Sequence, residues 1–157
     1  MYDIDGNTYL DAYNNIPLVG HSHPKVSTAI SQQIRTLNTN TRYHYEILSE
    51  YAEKLLAKFP PNLNKVFIVN SGSEASDLAT RIAQTVTNRK DIITIAEGYH
   101  GNTSRGIAVS DYKFNGKGGS GKPARTHTLP LPKLYNGDFG TSEAYIADAT
   151  QKINELI

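Results

Sequence analysis

Two short stretches of the chain carry residue types that could hold a ligand. In the first, Asn70-Ser71-Gly72-Ser73-Glu74-Ala75, a continuous apolar run gives way to a glycine turn and then to a helical pattern. Unpaired N–H groups of a first helical turn converge at such a point, and the helix dipole adds partial positive charge. Gly72 lets an anion approach the backbone, and Ser71 and Ser73 add hydroxyl donors, so the stretch reads as an anion site of the kind that takes a cofactor phosphate. The competing reading is structural: Ser71 or Ser73 caps the helix and Glu74 occupies its acid-preferring first turn. The second stretch, Glu97-Gly98-Tyr99-His100-Gly101, follows the next apolar run. It therefore opens on the same edge of a parallel sheet, where ligands of open α/β sheets bind. Tyr99, between glycines, could lay its ring over a flat heterocycle, or could simply pack on the sheet edge.

Three other patterns have weaker chemistry. Gly116-Lys117-Gly118-Gly119-Ser120-Gly121-Lys122 matches part of a nucleotide P-loop, but Pro123 stands where a Mg²⁺-binding Ser or Thr is required. We expect an exposed loop there. His21-Ser22-His23 has no third ligand at metal-binding spacing, so no metal site is expected. Ser71 with His100 lacks the elbow motif and the acid partner of a hydrolase.

The elements that must position these residues can be read from hydrophobic periodicity. Around the turn Asp5-Gly6-Asn7, residues 2–5 and 8–10 read as two short strands. Val26, Ala29, Ile30 and Ile34 place a helix over 24–37, with Pro24 in its first turn. A second helix is expected over 46–59, stopped by Pro60-Pro61. Lys65-Val66-Phe67-Ile68-Val69 reads as a strand buried on both faces, 74–86 as a helix and 92–95 as a second strand, which together make a βαβ unit. Residues 126–131 are a possible third strand, the stretch up to Asn136 is otherwise loop, and a last helix is expected over 141–157. The fold class is α/β with a mainly parallel sheet. So small a sheet cannot cover its faces or close its edges, so we expect a partner or a longer polypeptide.

Composition narrows the function classes. The chain has 157 residues, a formal charge of +1 and no cysteine. Charge so near neutral argues against nucleic acid and acidic membranes as partners, and the lack of cysteine excludes disulfides and thiolate chemistry. No apolar run reaches the roughly 20 residues of a membrane span. The first residues lack a secretory pattern, so a cytoplasmic protein is expected.

Four motifs together are more specific than any one. Asp5-Gly6-Asn7-Thr8-Tyr9-Leu10-Asp11, Gly20-His21-Ser22-His23-Pro24, Asn70-Ser71-Gly72-Ser73-Glu74-Ala75 and Tyr99-His100-Gly101 occur in order along the chain. In this respect the sequence resembles the class III (ornithine-type) aminotransferases, pyridoxal-phosphate enzymes of the aspartate-aminotransferase fold (fold type I). Asn38-Thr39-Asn40-Thr41-Arg42-Tyr43 and Tyr112-Lys113-Phe114 resemble the subgroup of alanine–glyoxylate aminotransferase-2-like proteins and ethanolamine-phosphate phospho-lyases, with a departure at Ser76, where Asn is usual.

The resemblance implies that residues 1–45 belong to an N-terminal small-domain segment and 46–157 to an incomplete cofactor-binding large domain. It implies that Gly72 and Ser73 hold the phosphate of pyridoxal 5′-phosphate, that Tyr99 stacks on its ring, and that Ser71 and His100 also bind the cofactor. Asn15, Asn40, Arg42 and Tyr43 are then near the substrate or a dimer interface, and the full protein is a homodimer acting on a small amine or amino acid. The lysine that binds the cofactor covalently is expected beyond Ile157, so no catalytic residue is assigned within the chain and the chain alone is expected to be inactive. Lys113, Lys117 and Lys122 are all placed in the exposed loop. The alternative is a non-catalytic module that binds a phosphorylated metabolite or a partner.

Overall fold

The computed structural model describes residues 1–13 and 17–156. Asn15 therefore lies outside the described residues. The chain forms two compact units, Met1–Val66 and Phe67–Ile157.

In the first unit the N-terminal turn forms, but its flanks do not become strands. Tyr2 and Thr8 make one antiparallel bridge, and Tyr9 N–H donates to Met1 O at 2.8 Å. A lone two-stranded ribbon is marginal in water, and Ile4 and Leu10 on its arms are exposed. The Asp3 carboxylate holds the turn by accepting from Asn7 N–H at 2.8 Å and Asn7 Nδ2 at 2.9 Å. It also accepts from Asp5 N–H and Tyr9 Oη, both at 3.0 Å.

Two helices follow. α1 (Pro24–Thr36) starts with Pro24 in its first turn, as expected. α2 (Glu46–Leu56) ends earlier than its periodicity suggests. Lys58 and Phe59 instead make tight turns onto Leu55 O and Leu56 O, both at 3.0 Å. The reason lies in Pro60, whose ring disfavours helical backbone in the residue before it. The apolar stripes of both helices stand in solvent, with Val26, Ile30, Ile47 and Tyr51 all exposed.

The second unit departs from expectation at its start. Residues 65–69 form no strand, and Phe67 and Ile68 are 68% and 56% exposed. A strand exists only through its ladder, and no described residue supplies one here. α3 (Gly72–Thr87) then runs to Asn88, whose left-handed backbone (φ 54°) ends it. β1 (Ile92–Ile95) pairs in parallel with β2 (Thr126–Leu129), Ile92 opposite Thr126 and Ile95 opposite Leu129. The parallel crossover thus runs from β1 to β2, not from residues 65–69 to β1. It contains two short helices that periodicity could not show, α4 (Ser104–Ala108) and α5 (Asp111–Phe114). α6 (Ser142–Asn154) closes the chain, with Thr141 Oγ1 accepting from Ala144 N–H at 3.2 Å as its N-terminal cap.

The core of this unit gathers where the crossover returns to the sheet. Val109, Phe114, Leu129 and Ala149 are buried there with Thr94, Ser110 and Thr126. The hydroxyls of these three residues are satisfied by backbone. Thr94 Oγ1 donates to Val109 O at 2.8 Å, Thr126 Oγ1 to Ala108 O at 2.8 Å and Ser110 Oγ to Gly106 O at 2.6 Å. A buried hydroxyl left unpaired would be costly, so these bonds fix the path of the crossover. The glycine-rich stretch 116–122 is exposed turn with no helix after it, as its Pro123 suggests. No helix among the described residues is long and apolar enough to cross a membrane.

One consequence concerns the N-terminal turn. The hydrogen bonds from Asn7 hold the Asp3 carboxyl below the usual 3.8. A lowered pKa favours the folded turn at pH above the ordinary value, and that preference is lost as pH falls through the lowered one. Amide protection at Asn7 is therefore expected to be intact above pH 3.8 and to fall below it. In Asp3→Ala it should be weak at every pH.

Candidate functional site

The site is built on the first turn of α3. Ser71 is its N-cap, with extended backbone (φ −159°, ψ 162°), and its Oγ accepts from Glu74 N–H at 3.1 Å. Glu74 reaches back in return. Its Oε2 accepts from Asn70 N–H at 2.8 Å and from Asn70 Nδ2 at 3.1 Å. This reciprocal cap fixes where the helix begins. It leaves Gly72 and Ser73 as the first helical residues, whose N–H groups have no acceptor within the helix. A Cβ placed on Gly72 would meet no atom within 4 Å, so the space beside these N–H groups is open.

The second loop presses directly against this turn. Gly101 has a φ of +111°, and a Cβ there would lie 2.7 Å from both Cα and Oγ of Ser73. Only glycine permits that approach. Asn102 N–H donates to Ser73 Oγ at 3.1 Å, which leaves the Ser73 hydroxyl hydrogen available to donate elsewhere. α4 is tied to the same helix: Arg105 pairs with Asp77 at 4.0 Å and donates to Gln84. The two stretches singled out in the sequence are thus in contact at the C-terminal end of β1.

The remaining expected residues are placed as follows. Tyr99 is half exposed on the loop, with its ring edge-to-face to Tyr112. His100 turns its ring to Thr94, with Nε2 3.2 Å from Oγ1. Asn40, Arg42 and Tyr43 share one turn of the first unit, where Asn40 Oδ1 accepts from Arg42 N–H at 3.1 Å and Asn40 O from Tyr43 N–H at 3.4 Å. Lys113 corrects an expectation. It lies on α5, half-buried, with Nζ 5.4 Å from the Tyr99 ring centroid, and not in the exposed loop with Lys117 and Lys122. Sequence reasoning missed the contact of Gly101 with Ser73 and the part played by α5. Gly98 and Gly101 on either side of Tyr99-His100 were the available signal for the first, whereas an α5 of 4 residues leaves no periodic trace.

The site thus joins an open helix N-terminus to an aromatic loop at the C-terminal end of a parallel strand. Solved structures agree. The chain is similar to a phospholyase from Arthrobacter in complex with phosphoethanolamine, at 36% identity and a TM-score of 0.80 over 99% of this chain and 37% of that one. It is also similar to a transaminase with L-Ala, at 25% identity and a TM-score of 0.82 over 99% and 40%. The architecture is thus part of the α/β fold of the fold type I pyridoxal-phosphate transaminases. A family model, Aminotransferase class-III, matches residues 1–157, and the chain belongs to that family. Among its relatives is an alanine–glyoxylate aminotransferase 2-like protein of Drosophila melanogaster, 45% identical over 88% of this chain and 28% of the relative. Another is ethanolamine-phosphate phospho-lyase homolog 1 of Caenorhabditis elegans, 40% identical over 87% and 29%. The chain spans less than a third of the length of these curated relatives.

The geometry separates the two glycines. Gly101→Ala is expected to destabilise the fold by about 2–4 kcal/mol, from a strained φ and overlap with Ser73. Gly72→Ala should leave the denaturation midpoint unchanged or slightly raised, because alanine suits a helix and the space is open. Equal losses for both in a denaturant titration would contradict this arrangement.

Proposed function

We propose that this chain forms the phosphate-binding part of a pyridoxal-phosphate enzyme that moves the amino group of a small amine or amino acid to an oxo acid. The observation that carries the reading is the open first turn of α3, held against the Tyr99 loop by the Gly101–Ser73 contact, in a class III chain. The N–H groups of Gly72 and Ser73 and the Ser73 hydroxyl would bind the cofactor phosphate, as charge-assisted donors at the positive end of α3. Tyr99 would stack on the ring and shield one face from water, while Ser71 and His100 hold the two loops in place. When bound, pyridoxal phosphate supplies an electron sink for the carbon that carries the amine. The Asn15 region and the turn of Asn40, Arg42 and Tyr43 would lie near the substrate or the second subunit of a homodimer. Residues 1–45 would belong to the small domain and 46–157 to the cofactor-binding domain. The lysine that binds the cofactor covalently would come from elsewhere in a longer polypeptide, so this stretch alone would be inactive. A cytoplasmic setting is part of the same reading, although some relatives carry mitochondrial names.

A second branch of chemistry, elimination of phosphate and ammonia from a phospho-amine, is favoured by the phospho-lyase names of the Caenorhabditis relative and the Arthrobacter structure. Release of inorganic phosphate from phosphoethanolamine, against transfer of its amino group to an oxo acid, separates the two.

The cofactor reading is tested on the complete polypeptide by absorbance titration with pyridoxal phosphate, followed by borohydride trapping and peptide mapping. Saturable binding is expected, weakened at least about tenfold in Gly72→Val because the side chain fills the phosphate space. The trapped lysine should lie outside residues 1–157. Trapping on Lys113, or indifference to Gly72→Val, would contradict the reading.

A further inference from the structure

The segment that follows α4 holds the loop that carries Tyr99 at four successive residues, Glu97 to His100. Glu97 has left-handed backbone (φ 63°), unusual for a residue with a side chain. Its N–H donates to Asp111 Oδ2 at 2.8 Å. Gly98 O accepts from Tyr112 N–H at 3.2 Å. His100 N–H donates to Oγ of the fully buried Ser110 at 2.7 Å. Between these backbone anchors Tyr99 is held by side chains. Its ring meets that of Tyr112 edge to face, with centroids 6.3 Å apart and planes at 81°. Lys113 Nζ sits in the corner between the rings, 5.4 Å from the centroid of Tyr99 and 5.6 Å from that of Tyr112.

This arrangement has a physical consequence for Tyr99. A half-exposed tyrosine on a loop would ordinarily sample several rotamers. Here, rotation away from its present place separates the ring from a cation and from the edge of a second aromatic ring at once. An ammonium near the faces of two phenols is attracted by both quadrupoles, and edge-to-face contact adds to this. Ring positions fixed before a ligand arrives reduce the ordering cost of binding.

We propose that Tyr112 and Lys113 are positioning residues for Tyr99, and that the charge of Lys113 sets how firmly Tyr99 serves as a stacking platform for the pyridoxal ring. This rests on the cofactor reading above and goes beyond it by assigning a role to α5, which contributes no atom to the phosphate site.

The test uses the complete polypeptide and measures the dissociation constant for pyridoxal phosphate together with the induced circular dichroism of the bound cofactor. Lys113→Met keeps the aliphatic stem and removes the charge. It is expected to weaken binding about three- to tenfold and to reduce the induced signal. Lys113→Arg retains a cation that can face both rings and should restore both readouts to within about twofold of the unsubstituted protein. Tyr112→Leu should resemble Lys113→Met, and it carries the test if thermal melting shows that the methionine variant does not fold. Binding and dichroism unchanged in Lys113→Met, or an arginine variant as weak as the methionine one, would overturn the proposal while leaving the cofactor reading intact. Absence of binding by the unsubstituted protein would overturn both.

Discussion

The candidate site depends on one close approach, that of the Gly101 backbone to Ser73. The contact leaves no room for a Cβ and requires a backbone conformation that side chains avoid. It brings the loop after β1 onto the first turn of α3, and Asn102 N–H then seals the junction on Ser73 Oγ. Without it, the open N–H groups of α3 and the ring of Tyr99 would be separate surface features. With it, the loop that carries Tyr99 adjoins the first turn of α3. The crossover helices serve the same end from the other side: buried hydroxyls at Thr94, Ser110 and Thr126 pin α4, α5 and the sheet together, and the loop is stretched between that core and α3.

Much of this was legible in the residues, and the division between what was and was not has a physical basis. Long periodic helices announced themselves: α1 begins at Pro24 and α6 just after Thr141 as expected, while α3 begins at Gly72, ahead of the expected 74, because Ser71 caps it. Ile92–Ile95 was readable because an apolar run between polar turns has few other fates. Residues 65–69 carry the same signal, but strand formation is a property of a pair, and the partner is not written into the run itself. The short helices α4 and α5 fall below the length at which periodicity speaks, so the brace around Tyr99 emerged only from distances. The composition of the two ligand-ready stretches was evident from their glycines and serines, whereas their mutual contact was not, because nothing local in Gly101 names Ser73 as its neighbour.

The apolar surface left in solvent has its own implication. Phe67 and Ile68 precede the turn into α3, and the stripes of α1 and α2 are uncovered. Exposed apolar segments with strand character are the kind that seek a ladder. In the proposed enzyme these segments would be covered by the rest of a longer polypeptide, which fits a chain that spans less than a third of its curated relatives. Family membership and the contact of the Gly101 loop with the first turn of α3 both support the proposed reading.

The proposed enzyme rests on the first turn of α3 receiving a phosphate. Amide hydrogen exchange of the complete polypeptide, with and without pyridoxal phosphate, addresses it directly. Slowed exchange is expected at Gly72 and Ser73, with the glycine-rich stretch 116–122 unchanged. Protection confined to 116–122, or cofactor binding that leaves Gly72 and Ser73 exchanging as before, would contradict it.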